Sequence, residues 1–274
     1  MVVKGRLIDI HERRIYPARI ETEGRLIKRI EPVDSCDEVY IMPGLIDAHI
    51  HIESSMLVPG YFSMAAVSRG TTGVVADPHE IANVLGRKGV DFMIDDAERV
   101  PLKFYFGAPS CVPATAFESS GATVGSDEIE DLFNKKRVKF LGEMMNFPGV
   151  VAGDEEVMRK IQIARSNNLV VDGHAPGLSG EALVKYVASG ISTDHECSDI
   201  KEAQEKLSLG MKILIREGSA ARNLDSLKEL IKSEPQNVML CSDDLHPEML
   251  VRRHLDRIVA DLVKQGFDLF NVLA

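Results

Sequence analysis

The feature that most constrains the fold is a regular alternation of short apolar runs with longer segments of helical spacing, beginning near residue 45. Short apolar runs bounded by turn residues are typical of buried strands. Eight such runs occur, at residues 45–51, 72–76, 103–107, 139–143, 169–174, 191–195, 212–215 and 238–242. Helical spacing is clearest at residues 127–136, 155–166, 181–188, 201–209, 224–233 and 248–264. This alternation indicates parallel strands joined by crossover helices.

Eight strand–helix units in roughly 230 residues match the size of a (β/α)8 barrel. A doubly wound open sheet is the alternative, but it usually has fewer strands and a glycine-rich first turn. The sequence contains neither a Gly-x-Gly-x-x-Gly stretch nor a Walker-type loop. We therefore predict an α/β fold in which residues 43–274 form a TIM-type (β/α)8 barrel.

The first 42 residues have a different pattern. Residues 7–10, 18–21 and 26–30 are short stretches in which apolar and polar side chains alternate, and a turn surrounds Gly24. Such alternation is typical of strands with one exposed face. We predict a small β-strand domain over residues 1–42, placed before the barrel.

Composition and charge narrow the range of partners. The formal net charge is -10, aromatic residues make up 5% and tryptophan is absent, which disfavours nucleic acid as a partner. The N-terminus does not resemble a signal peptide, and nowhere do eighteen apolar residues run together, so we expect no membrane partner. The four cysteines are scattered without a Cys-x-x-Cys pair. A reducing, cytoplasmic location is therefore expected.

Six polar residues fall where predicted strands end, which is where barrel enzymes place their active sites. They are His49, His51, Glu143, His174, His195 and Asp243. Side chains alternate along a strand, so His49 and His51 point to the same side. A single histidine at a strand end is more often an ordinary hydrogen-bonded residue. Six ligand-type residues at strand ends, in the order of the barrel, favour a metal site instead.

Imidazoles and carboxylates without thiolates suit zinc, manganese or ferrous iron rather than a structural zinc site. Two ions need a bridging ligand, and a carboxylate such as Glu143 offers two oxygens for that purpose. His11 and His254 lie in charged stretches, and we expect both to be solvated.

The stretch Pro43–His51 resembles the first barrel strand of the amidohydrolase superfamily. The continuation through Glu53, Ser54 and Ser55, and the run Asp77-Pro78-His79-Glu80, resemble the bacterial and archaeal adenine deaminases, as do the segments 172–176, 193–196, 216–219 and 241–244. The resemblance implies hydrolytic deamination of adenine to hypoxanthine and ammonia in purine salvage. It also implies two divalent ions that hold a hydroxide, Mn(II) or Fe(II) first and Zn(II) as the alternative.

Carried over by residue, the resemblance implies that His49, His51 and Asp243 hold one ion. His174 and His195 hold the other, and Glu143 bridges the two. Asp243 and Glu143 are the expected catalytic residues, with Asp243 accepting a proton.

The resemblance says less about which residues bind the purine than about which residues hold the ions. Candidates are Glu53, Ser54, Asp77, His79 and Glu80. For the last three, a further metal or an orienting role for the metal ligands stays open.

Members of that family continue past the eighth strand, so the sequence predicts an incomplete small β-domain and a homo-oligomer. Two other functions stay open. One is a different amidohydrolase, such as a cyclic amidase or an N-acyl deacetylase. The other is a non-catalytic barrel scaffold, which would be expected to have lost metal ligands.

Overall fold

A four-stranded sheet precedes the barrel. The computed structural model describes residues 1–115 and 117–274. The strands of this sheet are β1 (Val2–Asp9), β2 (Arg14–Glu23), β3 (Leu26–Pro32) and β4 (Tyr40–Ile41), in the order β3-β2-β1-β4. β1, β2 and β3 form an antiparallel meander, and β4 lies parallel to β1. Gly24 takes a φ of 59° between β2 and β3, a conformation that glycine adopts without steric cost.

The predicted barrel is confirmed. Its strands are β5 (Leu45–His51), β6 (Thr71–Ala76), β7 (Lys103–Ala108), β8 (Phe140–Met144), β9 (Val170–Gly173), β10 (Thr193–Asp194), β11 (Lys212–Arg216), β12 (Val238–Cys241) and β13 (Asp243–Asp244). Neighbouring strands run parallel, and β13 pairs with β5 to close the ring. Ser242 interrupts the eighth strand position, which β12 and β13 share. Only a single bridge, between Val171 and Ile191, joins β9 to the segment leading into β10 in the described residues.

The helices are α1 (Pro59–Ser68), α2 (His79–Leu85), α3 (Arg87–Ala97), α4 (Ser126–Asn134), α5 (Phe147–Ala152), α6 (Glu155–Ser166), α7 (Gly180–Ala188), α8 (Ile200–Ser208), α9 (Leu224–Leu227), α10 (Leu230–Ser233), α11 (Pro247–Arg252), α12 (Leu255–Lys264) and α13 (Leu269–Leu273). Along the chain, α1 to α10 lie between barrel strands, and α11 to α13 follow the last strand, β13. Carboxylates cap the starts of α6 and α8, where Asp154 and Asp199 accept backbone N–H bonds. The helix predicted at 224–233 divides into α9 and α10, and that at 248–264 divides into α11 and α12. Across the described ranges, no helix has the length and apolarity needed to cross a bilayer.

The hydrophobic core lies mainly in the barrel. Ile50, Val74, Leu141 and Val171, from four of its strands, are fully buried in one large cluster. A second cluster joins β11 and β12 to α12. The N-terminal sheet has a much smaller core, in which Leu7, Ala18 and Ile20 are buried. The barrel therefore holds most of the apolar burial that stabilises the fold.

Candidate metal centre

The structure brings all six predicted metal-binding residues together at the C-terminal ends of the barrel strands. His49 and His51 lie on β5, Glu143 on β8 and Asp243 on β13, while His174 and His195 directly follow β9 and β10. We call His49 and His51 the first imidazole pair, and His174 and His195 the second imidazole pair. The ligand atoms of His49, His51 and Glu143 lie within 4.8 Å of one another, as do those of Glu143, His174 and His195.

Glu143 lies between the two imidazole pairs and is almost fully buried. Its Oε1 is 3.2 Å from Nε2 of His51. Its Oε2 is 2.6 Å from Nδ1 of His174 and 3.2 Å from Nε2 of His195. Burial would raise the pKa of this carboxyl, but hydrogen bonds from the imidazoles hold it well below its usual range. The two oxygens of one carboxylate therefore face two different groups of ligands.

Acceptors outside the centre orient the rings of the first imidazole pair. Nδ1 of His49 is 2.9 Å from a carboxylate oxygen of Asp172, and Nδ1 of His51 is 2.9 Å from the carbonyl oxygen of Asp77. Both acceptors receive a hydrogen bond from the N–H at Nδ1, so Nε2 of each ring faces the centre, and it offers a lone pair when the ring is in the neutral form that binds a metal ion. Sequence reasoning missed the role of Asp172, although it lies two residues before His174.

The two Nε2 atoms of the first imidazole pair are only 3.1 Å apart. Two lone pairs at that distance repel unless a cation lies against them. Burial would lower the pKa of His49, yet the Asp172 carboxylate overcomes this and raises the pKa to about 9. The centre thus favours positive charge, either as added protons or as a divalent cation. The donor set of imidazoles and carboxylates fits such a cation.

The second imidazole pair is fixed through its backbone. The backbone N–H of His174 donates to the hydroxyl of Tyr186 at 3.0 Å, and the carbonyl of His195 accepts from Asn223 at 3.0 Å. Nδ1 of His195 is buried and has no hydrogen-bond partner among the described residues. The polar neighbours of these rings are Glu143 and, at 3.6 Å from His174 and 3.4 Å from His195, Oε1 of Glu196.

Asp243 has an unusual backbone conformation, with a φ of 54°. Few residues other than glycine adopt such a φ, and those that do often lie at functional sites. The buried Asp47 carboxylate accepts hydrogen bonds from both the backbone N–H and the hydroxyl of Ser242, just before the bend. The bend places Oδ1 of Asp243 3.1 Å from Nε2 of His51.

An ion pair that the sequence did not predict touches Asp243. Arg216, at the end of β11, donates to Oδ2 of Asp243 at 2.7 Å and binds Glu196 through two nitrogens. Such two-pronged contacts fix the orientation of a carboxylate. Burial would raise the pKa of Asp243, but the hydrogen bond from His51 and the nearby imidazoles hold it below its usual range.

Four of the five residues predicted to bind purine line one side of the centre. The hydroxyl of Ser54 lies 3.2 Å from Oε1 of Glu80, and Oε1 of Glu53 accepts the backbone N–H of Ile81 at 3.1 Å. Nδ1 of His79 is 3.3 Å from Oε1 of Glu143. Burial and the neighbouring Glu80 carboxylate raise the pKa of Glu53 to about 7.

The fifth residue, Asp77, lies beneath Glu143 and is 1% exposed. Its Oδ2 accepts the backbone N–H of Glu143 at 2.9 Å. A Cβ at Gly142 would lie 2.3 Å from that oxygen, so only glycine leaves room for the contact. Asp77 therefore contacts the backbone that carries Glu143.

His254 is buried, and the expectation that it is solvated was wrong. It is 2% exposed and lies just before α12, where the predicted helix breaks. Its Nε2 is 2.8 Å from Asp47, and its Nδ1 is 2.8 Å from the hydroxyl of Thr71. The break turns His254 inward against the carboxylate that holds Ser242. His11 is exposed, as expected.

An eight-stranded barrel with imidazoles and carboxylates at its strand ends defines a class of metal-dependent hydrolase. The sequence profile of the amidohydrolase family matches residues 40–271. The chain therefore belongs to the amidohydrolase family.

Within that family, the chain is similar to proteins named adenine deaminase. It is 53% identical to the adenine deaminase of Sulfurovum sp. (strain NBC37-1) over 273 residues, which are 100% of this chain and 51% of the relative. The adenine deaminase of Salinibacter ruber is 51% identical over 271 residues, covering 99% of this chain and 50% of the relative. The chain spans about half the length of the curated relatives it matches.

Solved structures share the fold at much lower identity. The N-acetyl-D-glucosamine-6-phosphate deacetylase of Mycobacterium smegmatis has a TM-score of 0.67 at 12% identity, covering 100% of this chain and 87% of that chain. A β-aspartyl dipeptidase of Fervidobacterium islandicum AW-1 has a TM-score of 0.66 at 14% identity, covering 99% and 83%. At these identities the likeness concerns the fold alone.

Proposed function

We propose that this chain carries the catalytic barrel of an enzyme that hydrolyses adenine to hypoxanthine and ammonia in purine salvage. The central observation is the position of Glu143, whose two carboxylate oxygens face two separate imidazole pairs. About half of the residues are identical to those of relatives named adenine deaminase, which supports adenine as the substrate.

The centre is proposed to hold two divalent ions, Mn(II) or Fe(II), with Zn(II) as the alternative. The first imidazole pair and Asp243 would hold one ion, the second imidazole pair would hold the other, and Glu143 would contact both. Bound there, the ions would lower the pKa of a water molecule and fix its position beside the substrate.

Asp243 is the proposed proton acceptor. Its Oδ1 faces the centre beside His51, and Arg216 holds its Oδ2. In the reaction, the oxygen of the attacking water forms a bond to C6 of adenine, and the bond from C6 to the exocyclic nitrogen breaks. Asp243 accepts a proton from the water and transfers it toward the ring nitrogen or the departing amine. Adenine and water are thereby converted to hypoxanthine and ammonia.

Substrate binding is assigned to Glu53, Ser54, His79 and Glu80. Adenine presents N–H donors and ring-nitrogen acceptors, and these residues offer carboxylates, a hydroxyl and an imidazole on one side of the centre. Oε2 of Glu53 and Oε2 of Glu80 are buried without a hydrogen-bond partner among the described residues. A ligand with N–H donors would satisfy them. Asp77 is assigned the orientation of Glu143, because it is buried beneath that residue.

The wider setting is also a proposal. The net charge of -10 supports a free purine rather than nucleic acid as the partner, and no membrane partner is proposed. Four free cysteines support a reducing, cytoplasmic location. The exposed Leu26 and Ile27 on β3, an edge strand of the N-terminal sheet, support self-association into a homo-oligomer.

The test is ammonia release from adenine by the chain after it has been stripped of metal and reconstituted with Mn(II) or Fe(II). The full-length Sulfurovum adenine deaminase serves as the positive control. The panel also contains a dihydropyrimidine, a hydantoin and an N-acetylated amino sugar. We expect turnover of adenine alone. Turnover of a cyclic amide or of the acetylated sugar would instead identify another amidohydrolase, and a chain that holds no metal and turns over no compound of the panel would support a scaffold.

A further inference from the structure

The strands that carry the second imidazole pair are weakly joined. β9 has four residues and β10 has two, whereas β5 has seven. The ladder between β8 and β9 is irregular between Leu141 and Met144, just where the site begins, and the ladder between β5 and β6 is likewise irregular between Asp47 and Ile50. The difference lies in strand length and in the single β-bridge that the described ranges show between Val171 and Ile191, which leave the ends of β9 and β10 with less backbone pairing than β5 has.

A tyrosine on α7 bridges the irregular ladder. Tyr186 is fully buried, and its hydroxyl accepts the backbone N–H of His174 at 3.0 Å. The same hydroxyl donates to the carbonyl of Met144, the residue after Glu143, at 3.1 Å. One hydroxyl thus joins the segment that carries Glu143 to the segment that carries His174, as a ladder bond would.

A lysine on α8 joins the next two segments. Lys206 is fully buried, and its ammonium donates to the carbonyl of Ala175 at 2.7 Å, to Asp194 at 2.9 Å and to Glu202 at 2.7 Å. These three bonds use all three of its donors. The Asp194 carboxylate also accepts the backbone N–H groups of Ala175 and Glu196. Ala175 follows His174 and Glu196 follows His195, so this ion pair fixes the spacing of the second imidazole pair.

We propose that Tyr186 and Lys206 are positioning residues that set the second imidazole pair at the separation from Glu143 that a metal ion requires. Both side chains reach the strand ends from helices outside the barrel, and neither touches the ligand atoms. The inference rests on the proposed function to the extent that the second imidazole pair binds an ion. It predicts that loss of either side chain weakens the binding of the ion at the second imidazole pair and leaves the ion at the first imidazole pair bound.

The experiment is a competition titration of the metal-free chain with Mn(II) or Zn(II) against a chelator, read as ions bound per chain and as two affinities. The mild variant is Tyr186→Phe, which removes only the hydroxyl. The second variant is Lys206→Met, which leaves the Asp194 carboxylate buried without its partner. Tyr61→Phe and Lys201→Met, at exposed positions, are the matched controls. Thermal unfolding without metal separates loss of folding from loss of the ion.

We expect Tyr186→Phe to fold. The affinity for one of the two ions should fall by about 10–100-fold, the effect typical of losing a residue that orients metal ligands. The other affinity should stay within about threefold of the unaltered chain and of Tyr61→Phe. Equal weakening of both ions, or unchanged affinities in Tyr186→Phe, would overturn the inference even if Lys206→Met failed to fold.

The outcome also separates this inference from the proposed function. If the unaltered chain bound two ions but released no ammonia from adenine, the proposed function would fail. The positioning role would still be decided by the two ion affinities of Tyr186→Phe. A single ion in the unaltered chain would overturn both.

Discussion

The two imidazole pairs face the same carboxylate but are held in different ways. The rings of the first imidazole pair donate to Asp172 and to the carbonyl of Asp77, which both lie outside the centre. The second imidazole pair has its backbone held by Tyr186 and Asn223. The difference follows from the strands. β5 has seven residues and pairs with β6 and β13, whereas β10 has two residues and is linked toward β9 by a single β-bridge among the described residues, so the second imidazole pair has less ladder pairing to hold its backbone.

The largest effect is expected at Glu143, because both imidazole pairs depend on it. Glu143→Ala should lose at least one of two ions and reduce adenine turnover by at least about 10³-fold, or ~4 kcal/mol of transition-state stabilisation. Metal analysis and ammonia release measure the two effects. Glu130→Ala, at an exposed position on α4, is the control. A variant with both ions and full turnover would remove Glu143 from the centre.

The next effect separates chemistry from metal binding. Asp243→Asn keeps an oxygen toward the first imidazole pair but cannot accept a proton. Turnover should fall by at least about 10²-fold, the low end for removing a general base, while most of the metal remains. The measurement pairs metal content with turnover on the same sample. If metal and activity were lost in equal proportion, Asp243 would act as a ligand only.

Asp172 tests the first imidazole pair by itself. Asp172→Asn replaces the charged acceptor that orients His49, and it should weaken one ion by about 10–100-fold. This is the counterpart of Tyr186→Phe, but it acts at the opposite pair, so the double variant should weaken both ions. Asp225→Asn, whose side chain is exposed, is the control. Affinities in the double variant no weaker than in either single variant would show that the two pairs are not held separately.

The smallest effect on the centre is expected at His254, which acts through Asp47 and Ser242. His254→Leu leaves the buried Asp47 carboxylate without this hydrogen-bond partner, which should lower the free energy of unfolding by about 1–3 kcal/mol. Ion affinities should change by less than about tenfold. Urea unfolding of His254→Leu and of the exposed control His11→Leu measures the difference. Equal stability in the two variants would mean that the contact between His254 and Asp47 contributes little.

The amino-acid sequence by itself determined the order of the elements and the position of six ligand-type residues at the ends of barrel strands. All eight predicted strands are present, and β5 has the predicted bounds of residues 45–51. The six ligand-type residues could be found because strand periodicity and helical periodicity are local patterns, and because parallel strands end at one rim of a barrel. The side chains that can react at that rim are therefore those of the residues at which the strands end.

Only the tertiary structure decided how that centre is held. Asp172 meets His49 across 123 residues of sequence, and His254 meets Asp47 across 207. Tyr186 and Lys206 look like ordinary positions of amphipathic helices, and a charged stretch gave no sign that His254 is buried. No local pattern records such contacts, because they arise when barrel closure brings distant segments together. Once buried, a polar group must find whichever partner the fold places beside it.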